Sequence, residues 1–181
     1  AADLAVLGDL GALAEDEFAA ISAATTDELT GLFNRRGFNQ LVRFTLSVAR
    51  RRAEPLTLGW LDLDRFKEIN DRYGHEEGDK ALKVMAQLMR SAFREADMLV
   101  RFGGDEFAVL FADTDEQGAW IAMQYLAEQV ESYNARKLHP WSLHFSWGLS
   151  EFDHNGNDLQ QWLKDADEKM YAMKQQRQRA R

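Results

Sequence analysis

The spacing of apolar positions changes several times along the chain, and each change marks an element. Residues 56–64, LTLGWLDLD, make a nearly continuous apolar run that ends in acids, the pattern of a central strand buried on both faces. Ahead of it, Asn34 offers an N-cap for a helix running to about Arg51, and Glu54-Pro55 stops that helix. Further upstream, Thr25, Thr26 or Asp27 can cap a helix start that Gly31 interrupts. Residues 3–24 carry Leu4, Leu7, Leu10, Leu13, Phe18 and Ile21 at loosely helical spacing broken by Gly8 and Gly11, which suits a linker or a short pairing helix. After Gly78, one face of a long helix holds Ala81, Leu82, Met85, Leu88, Met89, Ala92 and Phe93. MLVRF and FAVLF then read as two strands joined by a tight hairpin through GGDE. A second amphipathic helix, from about Glu116 to Tyr133, aligns Ala119, Ala122, Met123, Leu126 and Val130. Residues 141–150 alternate Leu143, Phe145, Trp147 and Leu149 with smaller or polar positions, the mark of a half-buried strand. A last helix turns Leu159, Trp162, Leu163, Ala166, Met170 and Met173 inward. This order predicts an α/β fold of the α+β kind, a central mixed, mostly antiparallel sheet flanked by helices.

Composition narrows the chemistry. At 181 residues and 45% hydrophobic content, the chain suits one domain with one sizeable core. It has no cysteine, so disulfides and thiolate metal sites are excluded, and any metal must use oxygen or imidazole. A net charge of -8 disfavours nucleic acid and anionic membranes as partners, and an anionic ligand would need positive charge supplied locally. No apolar run approaches the roughly 20 residues that cross a bilayer, and no segment resembles a signal peptide. A cytoplasmic location is expected, and the start at Ala1 suggests a piece of a longer protein.

Two acidic clusters fall where such sheets do their chemistry, at strand ends and connecting loops. Asp62 and Asp64 share one face of their strand by its two-residue period, with Leu63 pointing away, while Asp105 and Glu106 sit on the hairpin. If strand and hairpin are neighbours, these carboxylates converge, and their repulsion raises some pKa values unless a cation is present. Oxygen ligands alone point to magnesium or manganese with positions left for a substrate's phosphates. Each motif by itself is better explained by ordinary turn chemistry.

The segment between the clusters changes that balance. DLDRFKEINDRYGHEEGD, Asp62 to Asp79, together with DELTGLFNRR and RFGGDEF, resembles the GGDEF family of diguanylate cyclases, which make cyclic di-GMP from two GTP molecules. The resemblance runs from about Asp27 to Lys174. It implies the palm-like α/β domain shared with class III nucleotide cyclases, here over residues 25–176, with residues 1–24 as a linker or signalling helix and 177–181 as a basic tail. By the same resemblance, Asp62 and the Leu63 carbonyl hold metal, with two ions expected per half-site. Asp105 holds metal and activates the attacking 3′-hydroxyl, and Glu106 helps hold the second ion. Gly103 and Gly104 let the backbone approach the triphosphate, and Asp64 supports the ligands from behind. Asn70 and Asp79 match the positions that read guanine; an aspartate can accept from guanine N–H groups, and an amide can donate and accept. His75 matches a substrate contact, Phe66 a packing residue near the base, and Lys67 a phosphate-contacting lysine that stabilises the transition state.

The final helix departs from the family pattern. Lys174 aligns with the phosphate-binding lysine, but Arg177 stands where the family has glycine and Gln178 where it has arginine. Arg94 and Asp97, an Arg-x-x-Asp with five residues between it and Gly103, match the family's inhibitory product site. The resemblance implies a homodimer in which each subunit binds one GTP and each 3′-hydroxyl attacks the opposite α-phosphorus. An upstream sensor domain would control the encounter. The alternative is a catalytically weak or inactive domain that serves as a receptor for cyclic di-GMP or GTP.

Overall fold

A computed structural model describes residues 24–156 and 158–179. The helical reading of residues 3–24 falls outside these residues except at Ala24. The apolar run before the first acids forms β1 (Leu56–Leu63), the inner strand of a four-stranded sheet. Its neighbours are β3 (Glu106–Ala112) and β4 (Phe145–Glu151), while β2 (Met98–Gly103) lies outside β3, giving the order β2-β3-β1-β4. All three strand pairings are antiparallel. The sheet expected to be mixed but mostly antiparallel is antiparallel in all three pairings, and among the described residues parallel pairing is confined to an isolated bridge between Phe33 and Val100.

Helices cover both faces because β1 alternates two apolar sets. Leu61 and Leu63 join Phe107, Val109, Phe111, Phe145, Trp147 and Leu149 in a core closed by α3 (His75–Ala92) and α4 (Glu116–Ala135). On the other face, Leu56 and Leu58 join Val100, Ala108 and Leu110 beneath α1 (Arg35–Arg52) and α5 (Leu159–Arg179). Phe38 of α1 and Trp162 of α5 are fully buried there. Each such side chain stabilises the fold by about 1.5–3 kcal/mol. Trp162 also donates its indole N–H to the Ser150 carbonyl at 2.6 Å, so burial leaves no orphaned donor. Asn34 caps α1 as its sequence suggests, accepting from Gly37 N–H at 2.9 Å.

Four places differ from the sequence reading. Residues 28–30 form a turn held by the Thr30 N–H donating to Asp27 Oδ1 at 2.9 Å, where a helix start was expected after Thr25, Thr26 or Asp27. A short helix, α2 (Phe66–Tyr73), fills the stretch between β1 and α3, and α3 begins at His75, so Gly78 lies inside its first turn. β4 begins only at Phe145, because Leu143 pairs its N–H and carbonyl with the Asn134 side chain instead of a neighbouring strand. α5 continues through Arg179, so the expected tail from residue 177 is in part helix.

Candidate active site

Antiparallel pairing of β1 with β3 sets Asp62 directly opposite Glu106. Even-numbered positions of both strands face α1 and α5, so the two carboxylates share that side. Just beyond the pair, the Leu63 N–H donates to the Asp105 carbonyl at 3.1 Å, which fastens the hairpin tip to the end of β1. The hairpin itself turns through Gly104 and Asp105, with Gly103 at φ 140° and Gly104 at φ 52°, backbone states that side-chain-bearing residues resist. Of the acids expected to converge, the register pairs Asp62 with Glu106.

Positive charge arrives from the end of the chain. Lys174 Nζ donates to Asp62 Oδ1, and one turn further Arg177 donates to the Phe145 carbonyl and lies 3.6 Å from Asp64 Oδ2. Asp64 also accepts from Ser146 Oγ at 2.8 Å. The acids at positions 62 and 64 are therefore matched by cations at 174 and 177. Burial pushes the Asp62 carboxyl up; Lys174 opposes this, Asp105 and Glu106 add to it, and the net shift is upward. Glu106 is also raised, by burial, then Asp105 and Asp167, against Arg35 and Lys174. Burial works against the Lys174 ammonium, but Asp62, Asp105 and Asp64 prevail and hold its pKa above the usual lysine value.

The guanine-reading candidates line up across α2 and α3. Asn70 is half-buried on α2, and its Oδ1 would lie 1.9 Å from a Cβ at Gly78, so this glycine lets the amide rest against α3. Phe66 packs on the core side of the same contact. Lys67, His75 and Asp79 are exposed, with no side-chain partner among the described residues. Arg94 and Asp97 lie apart from this group, between α3 and β2.

Two further parts were missed in the sequence reading. Arg101 Nη1 donates to both oxygens of Asp27 at 3.1 Å, while its Nε and Nη2 hold the Gly104 carbonyl at 3.2 and 2.9 Å. One guanidinium thus clamps the hairpin tip to the segment ahead of α1. Although burial raises the Asp27 pKa, hydrogen bonds from Thr30 and Arg101 bring it below the ordinary value. Arg35, at the start of α1, lies 5.5 Å above the Phe102 ring and acts on Glu106. No local pattern marks these contacts; Asp27 and Arg101 are 74 residues apart.

Residues 24–180 match the family described as diguanylate cyclase, GGDEF domain. The chain belongs to the GGDEF family. This GGDEF chain is 38% identical over 143 residues to the cyclic di-GMP phosphodiesterase NbdA of Pseudomonas aeruginosa, covering 79% of this chain and 18% of that protein. It is 33% identical over 151 residues to the probable diguanylate cyclase DgcC of Escherichia coli K12, covering 83% and 41%. With the diguanylate cyclase DgcS of Shewanella oneidensis it shares 35% over 153 residues, covering 83% and 50%. The chain thus spans from 18% to 50% of the length of these relatives. Among solved structures, the coiled coil and GGDEF domain of DgcB from Caulobacter crescentus, in complex with c-di-GMP, superposes with TM-score 0.84 at 25% identity, covering 94% of this chain and 91% of that one. The GGDEF domain of YfiN from Pseudomonas aeruginosa gives 0.75 at 34% identity, covering 83% and 89%. The cyclase palm fold expected from the sequence is therefore the observed one. Among the described residues, no helix is long and apolar enough to cross a membrane.

The GGDEF site has a donor set suited to a hard divalent cation, since Asp62, Asp105 and Glu106 offer only oxygen. Among the described residues, no three acidic or histidine side chains gather into an all-protein cage. Magnesium and manganese both take such oxygen donors together with a substrate's phosphates.

Proposed function

We propose that this GGDEF domain condenses two GTP molecules into cyclic di-GMP and two pyrophosphates. The observation that carries the reading is the Asp62–Glu106 pair beside the hairpin Asp105, with Lys174 reaching in from α5. Asp105 accepts the proton of the GTP 3′-hydroxyl as the oxygen attacks the α-phosphorus of a second GTP; the bond to the β-phosphate oxygen breaks, and pyrophosphate leaves. A divalent ion held by Asp62, the Leu63 carbonyl, Asp105 and Glu106 would neutralise charge that develops on the phosphates. Lys67 and Lys174 add positive charge along the triphosphate, and Asn70 and Asp79 hold the guanine, with His75 at the edge of that pocket. Because each domain holds one GTP, two domains must face each other, and residues 1–24 would bring them together under control of an upstream domain. Arg94 marks a second site, where product binds and inhibits.

A receptor without turnover is the second reading. It is favoured by Arg177, whose guanidinium is committed to the Phe145 carbonyl and Asp64, and by Gln178, which cannot supply a phosphate-binding charge. The two readings separate when the full chain is incubated with GTP and magnesium at low and high protein concentration and the nucleotides are resolved. The cyclase reading expects cyclic di-GMP with a steeper than linear dependence on protein, and a loss of at least about 100-fold in Asp105→Ala while product still binds. Absence of product even after fusion to a strong dimeriser, with cyclic di-GMP binding intact, would establish the receptor.

A further inference from the structure

The start of α3 carries His75 and Asp79, two of the groups read as substrate contacts, yet the helix begins without a side-chain cap. Its N-cap is Gly74, at φ 89°, which offers no side-chain oxygen to the first amides. Helix ends fray, and a base reader on a fraying turn loses its aim. An anchor reaches this turn from the connection between α4 and β4. Trp141 donates its indole N–H to Glu77 Oε2 at 2.8 Å. His139 stacks on Trp141, with ring centroids 4.3 Å apart and planes 7° from parallel, and its Nδ1 lies 3.6 Å from the same carboxylate oxygen. Lys80 Nζ occupies the other oxygen, Glu77 Oε1, at 2.6 Å.

The connection is itself held. Trp141 is 7% exposed, and two residues on, Leu143 exchanges its N–H and carbonyl with the Asn134 side chain of α4 at 2.9 and 2.7 Å. Glu77 is thus tied to a fixed point. Successive residues of a helix turn by about 100°, so His75 and Asp79, each two positions from Glu77, project together from the opposite side of α3. Tying down Glu77 sets the angle at which that side is presented.

We propose that Trp141, through its bond to Glu77, is a positioning residue for guanine recognition, fixing the start of α3 so that Asp79 meets the guanine N1–H and N2–H₂ together. In this role Trp141 depends on the reading above, in which Asp79 holds the guanine. A carboxylate distinguishes guanine from hypoxanthine, which has the N1–H and lacks the N2–H₂, only while it stays in line with both donors. A loosened turn would still admit the nucleotide but would read its base poorly.

Calorimetric titration of the full chain with GTP and with ITP, divalent ions chelated so that neither is consumed, tests the assignment. The parent is expected to prefer GTP, and Asp79→Asn to lose that preference. Trp141→Phe keeps an aromatic ring beside His139 and removes the donor; it should weaken GTP about three- to tenfold and ITP less than about twofold. Glu77→Ala should do the same, and combining the two should cost nothing beyond Glu77→Ala, since both remove one bond. Glu77→Gln keeps an acceptor for the indole and should retain the preference. A purely structural Trp141 gives a different result: Trp141→Phe lowers the melting temperature and leaves the ratio of GTP to ITP affinity as in the parent. If that happens while Asp79→Asn abolishes the preference, the guanine reading stands and the role given to Trp141 is wrong. If the parent binds GTP and ITP equally, the reading of Asp79 fails and the role of Trp141 falls with it.

Discussion

At Gly78 a single hydrogen atom decides where Asn70 can lie. An added methyl would meet the end of a flexible side chain at 1.9 Å, so Asn70 can swing away, and alanine also favours the helix by up to about 1 kcal/mol. Gly78→Ala should therefore change unfolding stability by less than about 1 kcal/mol but weaken GTP binding about tenfold, as read by urea titration and calorimetry. The Asp27 clamp behaves differently. Its lowered pKa means that the ionised form stabilises the fold above the ordinary value of 3.8 and that this contribution is lost as pH falls through the still lower folded value. Asp27→Asn should cost about 1–3 kcal/mol near neutrality, and the gap from the parent should close as pH drops below the ordinary carboxylate range. Urea unfolding at several pH values checks both the size and the sign. Asp62, Asp105 and Glu106 were legible in the sequence because each adjoins an apolar run that fixes its element. Arg101, Arg35 and Arg177 were not, because each finds its acid or carbonyl only after the sheet has closed.

Among elements, legibility followed the strength of the apolar pattern. β1 and the hairpin carry long apolar runs and were plain, whereas α2 buries only Ile69 and has Arg65 as an N-cap that makes no side-chain bond. The strand expected from Trp141 failed for a related reason: Trp141 and Leu143 are buried, but Trp141 donates its indole N–H to Glu77 at 2.8 Å and Leu143 turns to Asn134. Alternation signalled burial there, and burial did not require a ladder. The contact of α5 with β4 depends on Gly148, where a methyl would lie 2.2 Å from the Met170 nitrogen and 2.4 Å from the Ala166 carbonyl oxygen. These are backbone atoms, so the whole helix must move. Gly148→Ala should destabilise the domain by about 2–3 kcal/mol and, by shifting Lys174 from Asp62, weaken GTP binding as well. Paired thermal unfolding and nucleotide titration would register both effects; a loss of stability with unchanged GTP affinity would separate Lys174 from the substrate.

On the scale of the molecule, the fold was readable because helices and strands alternate clearly, while the all-antiparallel pairing was not, since periodicity reports burial and says nothing of strand direction. The net charge of -8 bears on the proposed dimer. Two such domains repel before they meet, and added salt screens that repulsion. At saturating GTP, raising salt from about 50 mM to about 200 mM should increase the second-order rate of product formation at low protein concentration. A fused dimeriser should remove the dependence, and stopped assays across protein concentrations would show it.

The bond from Lys174 to Asp62 spans 112 residues. A ribosome adding roughly 5–20 residues per second takes about 6–22 s to make that interval. Throughout it Asp62 already exists in the nascent chain, joined part-way by Asp105 and Glu106, but their counter-cation has yet to be translated. A polypeptide that ended between Asp167 and Lys174 would keep every acidic residue of the site and lack the lysine that balances them.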